Sequence, residues 1–381
     1  MILYLSVFLA GLLLSMLFTP WVRNFAITCA LIAPPTCKRH LHTKALPRLG
    51  GVAIYTAFLI ALGTSIQVAR FMHSDFPART LLGILLPASI VFFLGVYDDV
   101  KQLGAEIKIT IQAIAAIALY FSGFGIHFSG SFLGGTFITQ AVGLALTIFW
   151  VLLITNAFNL IDGLDGLAAG SALISAMVLF VTSFLGHNDV VAVLVIALAG
   201  AILGFLPHNV QPARIFMGDS GSLSIGFLLS AAALMGPPKT TNMASVAVLI
   251  LAFGLPILDV MLAVARRFLR GQSPFRGDAD HIHHKLLKLG LTQSHAVIVL
   301  YGVTTEFGAV SLILVQHAKW LVPVLAAVAI EVFLGVRQLR YAEFSWRAAS
   351  WQGALQTHEI TADPNPHSRT SKTRWTVAAS G

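Results

Sequence analysis

The chain has 381 residues, of which 57% are hydrophobic and 10% charged, with a mean hydropathy of +0.83 and a formal net charge of +8. That composition excludes an ordinary soluble domain. Its cations are scattered among short segments with no aromatic-interleaved basic platform, which excludes a nucleic-acid binder, and the two cysteines, Cys29 and Cys37, offer neither a disulfide framework nor a metal motif.

A bilayer core needs roughly 20 apolar residues per crossing helix. Such windows lie at 1–22, 49–69, 80–97, 108–124, 137–155, 167–186, 190–206, 221–236, 244–264, 295–315 and 320–338. They are far longer than the roughly ten-residue segments of an outer-membrane barrel, so the expected fold class is an all-α polytopic membrane protein with about eleven transmembrane helices. Residues 1–22 lack a basic leader and a cleavage pattern, which reads as a retained first span. If alternate loops share a side, most cations, from Arg23 and Lys38 to Lys285 and Lys288, fall together, while only Arg70, Arg79, Lys239 and Lys319 fall opposite. The positive-inside rule then puts the N-terminus outside and the C-terminus in the cytoplasm. Residues 1–340 form the expected membrane domain, and the mixed polar residues 341–381 read as a disordered cytoplasmic tail.

In chain order, the first polar cluster is Lys38-Arg39-His40-Leu41-His42-Thr43-Lys44, leading into Pro47-Arg48-Leu49-Gly50-Gly51. Cations beside closely approachable backbone suit phosphate recognition; attraction to anionic lipid headgroups accounts for them equally well. The third span ends in Tyr97-Asp98-Asp99-Val100-Lys101, with Lys108 opening the next. Neighbouring side chains on a helix point about 100° apart, so two roles are expected: a proton acceptor on one carboxylate, and a metal ligand or an orienting partner of Lys108 on the other. A helix end with an ion pair is the plain alternative.

After the fifth span comes Asn156-Ala-Phe-Asn159-Leu-Ile-Asp162-Gly163-Leu-Asp165-Gly166. Two carboxylates and two carboxamides beside a membrane span are costly to bury and mark a functional site, with helix capping as the alternative. Steps of three residues drift by about 60° each, so a straight helix cannot aim all four polar groups at one ligand. Gly163 and Gly166 permit a break, and irregular backbone at membrane depth lines cavities. A kinked segment over a polar cleft is therefore expected.

His208-Asn209 and Met217-Gly218-Asp219-Ser220-Gly221-Ser222 follow. Asp219, among glycines and small hydroxyls, suits Mg²⁺, which takes one or two carboxylates plus phosphate oxygens and water; an N-cap is the alternative. The last large loop holds Arg276 and His281-Ile282-His283-His284-Lys285. Zinc spacing is missing, and the neighbouring Arg and Lys fit a phosphorylated substrate.

Taken together and in this order, Pro47-Arg48-Leu49-Gly50-Gly51, Asp98-Asp99, Asn156 to Gly166, Met217 to Ser222 and His281 to His284 resemble glycosyltransferase family 4, the polyprenyl-phosphate N-acetylhexosamine-1-phosphate transferases. The likeness covers residues 38–290 and looks closest to the bacterial undecaprenyl-phosphate N-acetylglucosamine-1-phosphate branch rather than the muramoyl-pentapeptide branch. It implies an enzyme of the bacterial inner membrane that moves N-acetylhexosamine 1-phosphate from a UDP-N-acetylhexosamine to undecaprenyl phosphate. UMP would be released, and a lipid-linked envelope polysaccharide such as O-antigen would be started. It further implies a cytoplasmic-face cleft with catalytic Asp98, as base, Asp99 and Asp219, the last holding Mg²⁺ or Mn²⁺. The substrate-binding residues it implies are Lys108, Asn156, Asn159, Asp162, Asp165, Asn209, Arg276, His281, His283 and His284. Membrane lipid is an expected partner, and a homodimer is compatible with the family. The alternative from another class is a transporter or flippase for a lipid-linked sugar, for which the expected midspan charge row and repeated halves are not found.

Overall fold

The computed structural model describes residues 1–33, 46–71, 78–128, 135–235, 243–269, 271 and 281–339. Within them the helices are α1 (Ile2–Thr28), α2 (Gly50–Phe71), α3 (Ala78–Lys101), α4 (Ala105–Phe121), α5 (Thr136–Ile161), α6 (Leu167–Leu185), α7 (Asp189–Asn209), α8 (Gly218–Leu234), α9 (Met243–Ala252), α10 (Gly254–Leu269), α11 (Ile282–Lys288), α12 (Gln293–Gln316) and α13 (Leu321–Gln338). A two-residue antiparallel ladder joins β1 (Ile32–Ala33) to β2 (Leu46–Pro47), pairing Ile32 with Pro47 and Ala33 with Leu46. The chain divides into two compact units, Met1–Ala329 and Ile330–Gly381. The second is described only as far as residue 339, so the expected tail lies outside the described residues.

An all-α membrane protein is what these helices make. Eight helices are long and apolar enough to cross a bilayer, and the pair α9 and α10, bent by 85°, brings the number to nine. That measure, taken over the described residues, does not confirm the expected count of about eleven, because α4 and α8, which carry two of the expected windows, have 17 residues each. At 1.5 Å per residue that is about 25 Å, short of a core about 30 Å thick. Where α9 breaks from α10, the freed carbonyl of Ala252 accepts a hydrogen bond from Ser175 Oγ at 2.8 Å, the internal satisfaction that a membrane requires of broken backbone.

The core is centred on α7 and α8. Most of α7 is buried, packed between α1, α2 and α6, and α8 is buried from Ser220 to Ala233 between α3, α5 and α2. Burying an apolar helix on every side leaves no solvated face to explain polar residues on it, so the polar N-terminus of α8 must answer to its neighbours. Those neighbours come close. A Cβ on Gly95 of α3 would lie 2.6 Å from Ser220 Cα. The segment before α2 is zippered to the one before α8, with Phe216 N–H donating to Pro47 O at 2.9 Å and Gly51 N–H donating to Met217 O at 2.8 Å. The Pro47 to Gly51 motif thus meets the Met217 to Ser222 motif through backbone.

Candidate active site

Two helix ends and two helix starts bring the acidic residues together. Asp98 and Asp99 lie in the last turn of α3, Lys108 in the first turn of α4, Asn159 in the last turn of α5, and Asp219 in the first turn of α8. The roughly 100° between Asp98 and Asp99 separates their tasks. Asp99 turns to α8, where its two oxygens accept the backbone N–H groups of Asp219 at 2.7 Å and Ser220 at 3.0 Å. Those are orphan donors at a helix start, and a carboxylate there also meets the positive end of the helix dipole. Neither Asp219 nor Ser220 is the cap: Met217 holds that position without a side-chain bond, and Asp99 does the work from another helix. Gly218 makes room, with φ of +73 and a Cβ position 2.6 Å from Asp99 Oδ2.

Asp98 turns to α4. Its Oδ1 accepts the Leu103 N–H at 2.6 Å, and its Oδ2 accepts from Lys108 Nζ at 3.1 Å. The same ammonium donates to Asp219 Oδ2 at 2.9 Å, while Asn159 Nδ2 donates to Asp219 Oδ1 at 3.1 Å and to Ser222 Oγ at 2.9 Å. Asp98, Lys108, Asp219 and Asn159 therefore form one connected network, with Asp99 fixing the backbone beneath it.

The break expected near Gly163 and Gly166 is present. α5 ends at Ile161 and α6 starts at Leu167, with Gly166 left-handed at φ +79. Both polar faces of the Gly166 peptide are clamped: its N–H donates to Asn209 Oδ1 at 3.1 Å, and its carbonyl accepts from Tyr301 Oη at 2.6 Å. Asp162 sits in this turn, half-buried. Burial, and then the negative charges of Asp219, Asp99 and Asp165, push its carboxyl up to about 8, against a smaller pull from Arg48.

Not every expected site residue points into the cleft. Asn156 bonds Gln112 Oε1 at 2.7 Å and the Leu152 carbonyl, since α5 stays regular at that point and the three-residue drift carries it toward α4. Buried Asp165 accepts the Ala213 N–H at 3.0 Å, and buried Asn209 also donates to Ile215 O at 3.0 Å. Asp165 and Asn209 thus shape the loop between α7 and α8, and the four polar groups of residues 156–166 do not converge on one point. Arg276 lies outside the described residues, as do Lys38 to Lys44.

Of the histidines, His281 is a strut. Its Nδ1 lies 2.8 Å from Asp259 Oδ2, and Asp259 Oδ1 accepts the Ile282 N–H at 2.8 Å. His283 is buried with its ring against the α5–α6 turn, where a Cβ on Gly163 would lie 2.5 Å from its Nε2. Among the described residues that nitrogen has no hydrogen-bond partner. Burial, then the neighbouring His284, lower His283 to about 3, so it is a neutral ring at neutral pH. His284 packs beside it at 4.3 Å between centroids.

Two residues that hold the site were missed in the sequence. Asp259, 1% exposed in α10, carried a signal: it is an acid inside an apolar span, which is expensive unless it has a task. Tyr301 carried none, being an aromatic residue in an apolar helix.

A carboxylate pair bridged by lysine, and a buried histidine against a glycine turn, make a charged polar site in a helical membrane protein. The model of glycosyl transferase family 4 matches residues 81–237. A Bacillus subtilis protein named a probable undecaprenyl-phosphate N-acetylglucosaminyl 1-phosphate transferase is 35% identical over 316 residues, covering 82% of this chain and 86% of that protein. A Mycolicibacterium smegmatis decaprenyl-phosphate N-acetylglucosaminephosphotransferase is 35% identical over 77% of this chain and 78% of its own length. An Escherichia coli K12 undecaprenyl-phosphate alpha-N-acetylglucosaminyl 1-phosphate transferase is 28% identical over 76% and 77%, respectively. The chain belongs to glycosyltransferase family 4.

Proposed function

We propose that this protein transfers N-acetylglucosamine 1-phosphate from UDP-N-acetylglucosamine to a polyprenyl phosphate, most simply undecaprenyl phosphate, at the cytoplasmic face of a bacterial inner membrane. The observation that carries the reading is the Asp98–Lys108–Asp219–Asn159 network at converging helix ends, in a chain whose relatives bear that activity in their names. Nothing found favours a transporter.

In this reading an oxygen of the lipid phosphate attacks the phosphorus bearing the sugar. The bond to the UMP oxygen breaks, and the sugar C1–O bond stays intact. Asp98 takes or orients any proton on the acceptor phosphate. A phosphate monoester loses its second proton near pH 6, so orientation is the larger share of that task. His283 and His284, with Arg276, would contact the donor's phosphate or sugar. Asp162, proton-bearing at neutral pH among the negative charges of Asp219, Asp99 and Asp165, would give up its proton as cations arrive.

A divalent cation fits the donors present. Asp98 and Asp219 each aim a hard oxygen at one shared point, now held by an ammonium 3.1 and 2.9 Å away. Among the described residues no group of three or more His, Cys, Asp or Glu side chains is assembled. One or two carboxylates, completed by phosphate oxygens and water, is the usual Mg²⁺ arrangement. Asp219, with Asp98 across from it, would hold the ion, which when bound would neutralise the donor diphosphate as charge moves to the leaving UMP. Mn²⁺ would serve in its place. The test is the Asp219→Asn protein, folded in detergent: Mg²⁺-dependent UMP release should vanish, and unchanged turnover would remove Asp219 from the metal role.

A further inference from the structure

Every oxygen of Asp98 and Asp219 is already engaged. Asp98 accepts from Leu103 N–H and Lys108 Nζ, and Asp219 accepts from Asn159 Nδ2 and the same Nζ. One ammonium, on a side chain only 21% exposed, bridges both carboxylates. It occupies the position where a divalent ion between them would gain most, and two cations cannot share that gap at such distances without strong repulsion. Asn159 and the Asp99 cap hold Asp219 in place from the other side, so the carboxylate cannot swing away to meet an ion elsewhere. Lysine, by contrast, is a point charge on a flexible four-carbon stem with three rotatable donors.

We infer that Lys108 is an exchangeable counter-ion. It closes the gap between Asp98 and Asp219 in the cation-free protein and must release Asp219 Oδ2 before a divalent ion binds. The released ammonium then stands at the rim of the cleft, ready for a substrate phosphate oxygen. Lys108 is in this sense a positioning residue that sets cation affinity, beyond any contact it makes with substrate. The inference rests on Asp219 as the metal ligand, and its test separates the two claims.

Mn²⁺ is titrated into the full-length protein in detergent, without substrates, and the free ion is followed by its paramagnetic resonance signal. Lys108→Gln should bind Mn²⁺ about tenfold tighter than wild type, the factor that one charge-assisted hydrogen bond represents, while Lys108→Arg, which still bridges both carboxylates, stays near wild type. In the unaltered protein, reductive methylation of Lys108, read by mass spectrometry, should speed up when Mg²⁺ is added. Lys108→Gln binding no tighter than wild type, or methylation unchanged or slowed by Mg²⁺, overturns the exchange. Asp219→Asn run alongside should lose the Mn²⁺ site. If it binds like wild type, the metal reading falls and the exchange with it, whereas binding that depends on Asp219 but ignores Lys108 defeats the exchange alone.

Discussion

Asp99 accepts the backbone N–H of Asp219 at 2.7 Å, across two helices 120 residues apart in the chain. With the second bond to Ser220 N–H, this makes the carboxylate of α3 the N-terminal cap of α8 and fixes where Asp219 stands.

Asp99→Ala should therefore act as the loss of a helix cap, lowering stability by about 0.5–2 kcal/mol, and should reduce turnover by about a hundredfold through displacement of Asp219. Gly218→Ala, which intrudes on the same carboxylate, should reproduce the defect. Thermal melting together with UMP release checks both. A normal rate in either variant would mean that Asp219 does not need this support.

Asp259 ties His281 and the start of α11 to α10 from a buried position. Removing one partner of a buried pair costs about 3–5 kcal/mol, so Asp259→Ala should lower the melting temperature markedly. The milder Asp259→Asn keeps an acceptor and should mainly raise KM for the UDP-sugar. Steady-state kinetics on Asp259→Asn decide the point: a changed kcat at constant KM would place His281 in the chemistry instead of in support of His283 and His284.

Tyr301→Phe removes only the hydrogen bond to Gly166 O. A loss of about 0.5–1.5 kcal/mol in stability is expected, with turnover down roughly threefold to tenfold as the α5–α6 turn loosens. Loss of all activity would show that the hydroxyl itself touches substrate.

Asp162 supplies the pH dependence. Its carboxyl is raised from 3.8 to about 8 in the folded protein, so between those values the folded state holds a proton that the unfolded chain has lost. Stability therefore falls as pH rises through that window. In a chelating buffer the protein should melt roughly 2–4 °C lower at about pH 8.5 than at about pH 5.5. Asp162→Asn should make that difference smaller. A wild-type melting temperature that rises over the same window would contradict the placement of Asp162 among the negative charges.

The long apolar runs and the motif order made the helical membrane architecture and the family readable from the residues alone. The drift of three-residue steps likewise announced the break at Gly163 to Gly166. What could not be read was how the polar groups of that stretch divide their work. Asn156, Asp165 and Asn209 carry the same functional groups as Asn159 and Asp219, and only the packing of α4 and of the α7–α8 loop turns them into struts. Asp99 as the cap of α8 depends on contact between residues far apart in sequence, which no local spacing encodes. The shortness of α4 and α8 was legible too, since the apolar windows 108–124 and 221–236 are short and rich in small residues.

The products of the reaction distinguish phosphosugar transfer from every alternative. The purified protein is incubated with undecaprenyl phosphate, UDP-N-acetylglucosamine and Mg²⁺, and lipid and nucleotide products are identified by mass spectrometry. Undecaprenyl-diphospho-N-acetylglucosamine and UMP are expected in equal amounts. Release of UDP with a monophosphate-linked lipid sugar, or no nucleotide product from a folded protein that moves a preformed lipid-linked sugar across vesicles, would contradict that transfer.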